Sequence, residues 1–226
     1  MSVCFISDVH SQYDRLQKAV DYAESQNLQI IFLGDLFDSR VDYSDTFGTL
    51  NLMYRCIKSG HLCVNSNHQD KLIRYLKGNK VVQNNGLEVT VRQLEENQVN
   101  KTDLLNFLSS FAYGIVCKNS HGKQFRVAHA YFPHFLNVAE TDEVQFFHGE
   151  NLNRKAKNLM IYGPTDRDNV RTFWWNSKNK NRDYIKVAGH YHTVHVDDHS
   201  VILDSGCGSG GCLSLYVADT TVIKEF

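Results

Sequence analysis

The chain has 226 residues, 42% of them hydrophobic and 22% charged, enough to bury a substantial core in one globular domain spanning residues 1–226. A formal net charge of −1, from 24 basic and 25 acidic residues, excludes a general basic field, so no stable nucleic-acid complex is expected. No charged segment leads into an apolar one at the start and no apolar run approaches about 18 residues, which predicts neither signal peptide nor membrane span and places the protein in the cytoplasm.

Short apolar runs then alternate with helical patterns. Val3-Cys4-Phe5-Ile6 reads as a strand, and Leu16, Ala19, Val20 and Ala23 recur at helical spacing. Ile30 to Leu33 is the next strand, stopped by Gly34. Phe47, Leu50, Met53, Tyr54 and Ile57 form a second amphipathic stripe before Leu62-Cys63-Val64. This β-α-β-α-β order favours parallel pairing. From Leu72 to Phe111 the pattern is mostly helical. Beyond it come short, closely spaced strands at 114–117, 125–128, 185–188, 201–203, 213–217 and 222–223. An α/β beginning and a largely β end predict two packed sheets with helices outside. Segment 131–184 shows no clear period. Six cysteines without CxxC spacing read as reduced, buried thiols.

Five of the strands run directly into polar residues. Ile6 leads to Ser7-Asp8-Val9-His10, Leu33 to Gly34-Asp35-Leu36-Phe37-Asp38, Val64 to Asn65-Ser66-Asn67-His68, Ala128 to His129, and Ala188 to Gly189-His190-Tyr191-His192. Functional groups in such sheets gather beyond the carboxyl ends of strands, so these five can meet in one crevice. Residues two apart on an extended chain share a side, which lets Asp8 and His10, or His190 and His192, face one ion. Taken singly each has an ordinary reading: Asp8 as a helix cap, Asp35 and Asn67 as turn formers, His129 as a core histidine. The ordered set points to a site.

Carboxylate, imidazole and amide donors without thiolate suit Mn²⁺, Fe or Zn²⁺ better than a structural cysteine-bound zinc. They are too many for one tetrahedral ion and suit two ions about 3.5–4 Å apart, the arrangement that serves phosphoryl hydrolysis.

Asp8-x-His10, Gly34-Asp35-x-x-Asp38, Asn67-His68, His129 and Gly189-His190-x-His192 resemble the motif series of the calcineurin-like metallophosphoesterase superfamily, over most of the chain. Asn67 to Gly78 and the segment Leu203-Asp204-Ser205-Gly206-Cys207 are similar to its phosphoprotein-phosphatase branch in small bacterial and phage members. Those include diadenosine tetraphosphatase-like enzymes and the phosphatase module of RNA-repair polynucleotide kinase-phosphatases. The resemblance implies a four-layer αββα sandwich of two mixed sheets flanked by helices. It assigns Asp8, His10, Asp35 and His192 to one divalent metal, and Asp35, Asn67, His129 and His190 to the other, Asp35 bridging. The metals are expected to be Mn²⁺, with Fe, Zn²⁺ or Ni²⁺ as alternatives. His68 is then the general acid oriented by Asp38, and a metal-bridging hydroxide is the nucleophile.

Three positions depart from the branch's pattern. Ser39 stands where an arginine usually holds phosphate, with Arg40 one place later as its replacement; Ser66 replaces the glycine before Asn-His; Ser11 replaces the glycine after Asp-x-His. None removes a metal ligand. Arg167 is a second candidate phosphate clamp. The expected substrate is a phosphoprotein, a nucleotide or an RNA-end phosphate, with diadenosine tetraphosphate hydrolysis as the alternative and a degenerate metal-binding module as a further one. Tyr131, Phe132, Phe135, Phe146, Phe147, Trp174 and Trp175 read either as a base-stacking surface or as core. The basic stretch Lys178–Arg182 reads as a polyanion contact or a solvated turn. A nucleophilic Cys207 or Cys212 is the weakest reading, since no P-loop lysine follows the glycines.

Overall fold

Strand β1 (Val3–Ile6) sets the layering. Its side chains alternate, so Cys4 and Ile6 enter one apolar cluster while Val3 and Phe5 enter another. The first cluster is completed by α1 (Tyr13–Ser25), which contributes Leu16, Ala19, Val20 and Ala23, and by α2 (Thr46–Lys58), which contributes Leu50, Leu52, Met53 and Cys56. The short helices α3 (Asn67–Leu76), α4 (Leu87–Glu96) and α5 (Lys101–Ser109) cover the same side. Beside β1 in the same sheet lie β2 (Gln29–Phe32) and β3 (Leu62–Cys63), both parallel to their neighbours, as the β-α-β order predicts.

The computed structural model describes residues 2–41, 43–176 and 183–226. The basic stretch 178–182 lies outside them. After α5 come β4 (Gly114–Lys118), β5 (Gln124–Ala128), β6 (Gln145–Phe147), α6 (Arg154–Tyr162), β7 (Tyr184–Ala188), β8 (Val194–Val196) and β9 (Ser200–Leu203). These strands form a sheet in the order β6-β4-β5-β7-β9-β8. The chain then returns to the first sheet through β10 (Ser214–Val217) and β11 (Val222–Glu225), giving the order β11-β10-β1-β2-β3. β10 runs antiparallel to β1, so both sheets are mixed.

The same alternation seats one sheet on the other. Ile115, Phe125, Val127, Val187, Val201 and Leu203 meet Phe5, Ile31 and Tyr216 between the sheets, while Val116, Ala128 and Ile202 face outward. Helix α6, capped by the Asn153 side chain on Ala156 N–H at 2.9 Å, covers Val116 and Ala128 with Ala156 and Met160. The result is helices, sheet, sheet, helix: the four-layer αββα sandwich. β6, β8 and α6 were not marked by the sequence pattern; all are short, and the two strands expose alternate residues at sheet edges. No helix among the described residues is long and apolar enough to cross a membrane.

Candidate metal centre

Parallel β1, β2 and β3, together with β5 and β7, direct their carboxyl ends to one edge of the sandwich, where the chain turns abruptly. Asp8, His10, Asp35, Asp38, His190 and His192 all hold left-handed backbone, with φ between 43° and 70°. Non-glycine residues adopt this region at a cost, and such strain gathers where side chains must be aimed. Gly34, at φ 96°, leaves its Cβ position 2.7 Å from Ser66 Cβ, so the two loops approach only because a hydrogen stands there. A Cβ on Gly189 would collide with the Asp8 carboxylate.

Asp35 lies at the meeting point. Its Oδ2 is 3.6 Å from His10 Nε2 and 3.5 Å from His129 Nε2. Ligand atoms of Asp8, His10 and Asp35 fall within 4.8 Å of one another, as do those of Asp35, His129 and His190, and Asp35 is common to both groups. Asn67 joins the second group, its Oδ1 2.8 Å from His129 Nε2. Backbone carbonyls orient the rings: His129 Nδ1 is 2.8 Å from Leu33 O, and His10 Nδ1 is 3.0 Å from Phe37 O. Each ring thereby turns Nε2 toward the carboxylate, its other nitrogen held by the backbone so that the ring's orientation is fixed. His192 is more exposed; its N–H donates to Asp204 Oδ2 at 2.7 Å, and it lines the cavity without entering either tight group.

The electrostatics are those of a cation site. Burial would raise the Asp35 carboxyl, but the rings of His129, His68, His10 and His190 outweigh it and hold the group well below the carboxylate range. Asp8 is pushed the other way by burial, then by Asp204 and Asp35. Burial and the neighbouring His129 ring push His190 down to about 2, so the ring is neutral at pH 7 and one of its nitrogens offers a lone pair. His190 Nε2 is buried without a hydrogen-bond partner. An orphaned imidazole nitrogen beside crowded carboxylates is costly alone and fits a divalent cation.

His68 stands at the cavity side of this cluster. Its Nδ1 is 2.8 Å from Asp38 Oδ2, which leaves Nε2 toward the cavity. Burial opposes its charge, yet Asp35 and Asp38 together raise its pKa above the ordinary value. Ser66, which replaces the family's glycine, is extended at φ −135° and caps α3: its Oγ accepts from Gln69 N–H at 3.3 Å and from Asp35 N–H at 3.0 Å. The side chain is thus part of the loop junction. Ser39 is likewise tied inward, accepting from Gln12 Nε2 at 3.0 Å, while Arg40 borders the cavity.

The cavity measures about 210 Å³ and its wall includes His10, Asp35, Asn67, His68, His190 and His192, with the cations Arg40 and Arg171. Arg171, not singled out in the sequence, donates to His190 O at 3.3 Å. Arg167 is not among the lining residues. The intervening turn explains the difference: Asp166 Oδ1 accepts from Asp168 and Val170 N–H groups, and Thr165 pairs with Arg171, so Arg167 is left at the exposed tip while Arg171 returns to the base. Asp-x-Asp-Asn turn chemistry was the signal in the sequence. Cys207 is buried, its thiol pushed up to about 12 by burial, which gives no nucleophile.

A family model for calcineurin-like phosphoesterases matches residues 1–209. The chain is similar to the asymmetrical bis(5'-nucleosyl)-tetraphosphatase PrpE of Oceanobacillus iheyensis, 25% identical over 237 residues that take in 96% of this chain and 88% of the relative. Among solved structures it is similar to a candidate diadenosine tetraphosphatase, with a TM-score of 0.58 and 20% identity over 100% of this chain and 92% of that one. It also superposes on a serine/threonine phosphatase of Saccharomyces cerevisiae with similarity to human phosphatase PP5, with a TM-score of 0.55 and 11% identity over 100% and 79% of the two chains. At these identities the structural likenesses establish the shared fold.

Proposed function

The chain belongs to the calcineurin-like phosphoesterase family and is a phosphoester hydrolase, and on that premise we propose that it cleaves dinucleoside tetraphosphates at a site holding two divalent cations, Mn²⁺ first among them. The observation that carries the two-cation site is the position of Asp35 Oδ2 between His10 and His129. Asp8 and His10 stand on one side of that carboxylate, with His192 available from the cavity wall, and Asn67, His129 and His190 on the other. Cations bound there would neutralise phosphate oxygens and acidify a water.

The chain's own residues do the rest. Arg40 and Arg171 hold the phosphate from the cavity wall, each guanidinium offering paired donors. Water attacks phosphorus in line and releases a proton to solvent, the phosphorus–oxygen bond to the leaving group breaks, and the proton on His68 Nε2 passes to the departing oxygen and is replaced from solvent. Asp38 holds the ring for this transfer and favours its protonated form.

Supporting the nucleotide substrate are relatives named for it that match this chain along nearly its whole length. All six cysteines are free thiols, which favours a reducing, cytoplasmic setting. The test is a Mn²⁺-dependent turnover screen of diadenosine tetraphosphate, a phosphoserine peptide and RNA 2',3'-cyclic phosphate. The highest kcat/KM is expected for diadenosine tetraphosphate. Preference for the phosphopeptide would instead make this a phosphoprotein phosphatase, and no turnover of any would leave a metal-binding module.

A further inference from the structure

Apart from the metal centre, a second cavity, of about 400 Å³, opens on the outer face of the six-stranded sheet. Its walls carry aromatic rings and ammonium groups together: Tyr131, Phe135 and Trp174, with Lys155 from α6 and Lys186 from β7. Val187 faces the space between the sheets, so Lys186 before it faces outward. Lys186 Nζ sits 3.7 Å above the Tyr131 ring centre and 5.4 Å from that of Trp174, and Lys155 Nζ lies 5.6 Å from that of Phe135. The Trp174 Nε1–H donates to Ala130 O at 3.0 Å, which fixes the indole in place, half-buried. No carboxylate is among the described residues lining this cavity.

The two cavities have no lining residue in common, but short stretches of chain connect them. Tyr131 follows His129 by two residues, and Trp174 follows Arg171 by three, a distance of at most about 11 Å along an extended backbone. The aromatic cavity is thus within reach of a polyphosphate engaged at the metal cluster. Resting on the substrate class argued above, we propose that this second cavity binds one nucleoside end of that substrate. The base stacks on the exposed aromatic faces of Phe135 and Trp174, and Lys155, exposed on α6, neutralises the phosphates that follow it, while Lys186 is buried beneath the rings of Tyr131 and Trp174. Aromatic faces select for a base and an ammonium group for its phosphates; an apolar peptide would leave Lys155 without a counter-charge.

Trp174 and Trp175 are the chain's tryptophans, so intrinsic fluorescence reads this cavity directly. The metal-free, full-length protein is titrated with AMP, with adenosine and with ribose 5-phosphate. AMP should quench saturably, adenosine more weakly, and ribose 5-phosphate should not compete. Lys155→Glu, on the exposed face of α6, should weaken AMP at least about tenfold with an unchanged melting temperature, because stacking remains and the phosphate contact reverses sign. Trp174→Leu should remove most of the quench. The absence of a quench at millimolar AMP, equal binding of ribose 5-phosphate, or an AMP affinity indifferent to Lys155→Glu would overturn the proposal. Mn²⁺-dependent turnover of p-nitrophenyl phosphate, measured on the same preparation, separates the two readings. Turnover without AMP binding removes the nucleoside cavity alone, and AMP binding without diadenosine tetraphosphate cleavage removes the substrate assignment alone.

Discussion

His68 Nδ1 lies 2.8 Å from Asp38 Oδ2, a pairing across 30 residues of chain that fixes which nitrogen of the ring faces the cavity. His68→Asn should therefore lower turnover of diadenosine tetraphosphate by about 10²–10⁴, the range for loss of a general acid, while bound Mn²⁺ is retained. Steady-state kinetics with metal analysis of the same samples checks this. A collapse in metal content would make His68 a ligand instead of a proton donor.

Phosphate should be held by Arg40 and Arg171. Removing a charged hydrogen-bond donor costs about 1.5–3 kcal/mol, so Arg171→Ala should raise KM for p-nitrophenyl phosphate by roughly tenfold or more. Arg167→Ala, at the turn's tip, should change it by no more than about twofold, the usual effect of an exposed substitution. Equal effects at the two positions would contradict the turn geometry that separates them.

Much of this site was legible before any coordinates. Asp8, His10, Asp35, Asn67, His129 and His190 stand out because each follows an apolar strand, and strand ends in a parallel sheet must converge. Arg171 was not singled out although Asp166-Arg167-Asp168-Asn169 announces a turn; that the turn exposes Arg167 and returns Arg171 to its base is seen only in the pairing of Thr165 with Arg171. Helix α6 escaped because its buried residues, Ala156, Met160 and Ile161, are few and its nine residues give barely two turns of periodicity. β8 escaped for a related reason: Val194 and Val196 face solvent at a sheet edge, so hydrophobicity there reports no core.

The packing of the two sheets is testable apart from the chemistry. Phe5 is fully buried, 5.5 Å from the Phe125 ring and 6.3 Å from that of Tyr216. Phe5→Ala should destabilise the protein by about 3–5 kcal/mol in urea unfolding, through lost apolar burial and the cavity left behind. Val222→Ala, on the exposed edge strand β11, should cost under about 0.5 kcal/mol.

Thiol reactivity follows from burial. Desolvation pushes Cys4, Cys117 and Cys207 up to about 12 and Cys56 up to about 11, and raises Cys63 as well, so all five stay protonated at pH 8. Cys212 is exposed. One equivalent of thiol reagent should therefore react with the native protein, at Cys212, and Cys212→Ser should abolish it; fast labelling of several thiols would refute the burial pattern.

The central claim is that Asp35 joins two cations in one centre, and electron paramagnetic resonance of the Mn²⁺-titrated protein tests it most directly. The account predicts an exchange-coupled signal that saturates at two ions per chain, as expected for ions about 3.5–4 Å apart, and its disappearance in Asp35→Asn. A single uncoupled six-line spectrum at saturation, or loss of only one ion from the variant, would contradict it.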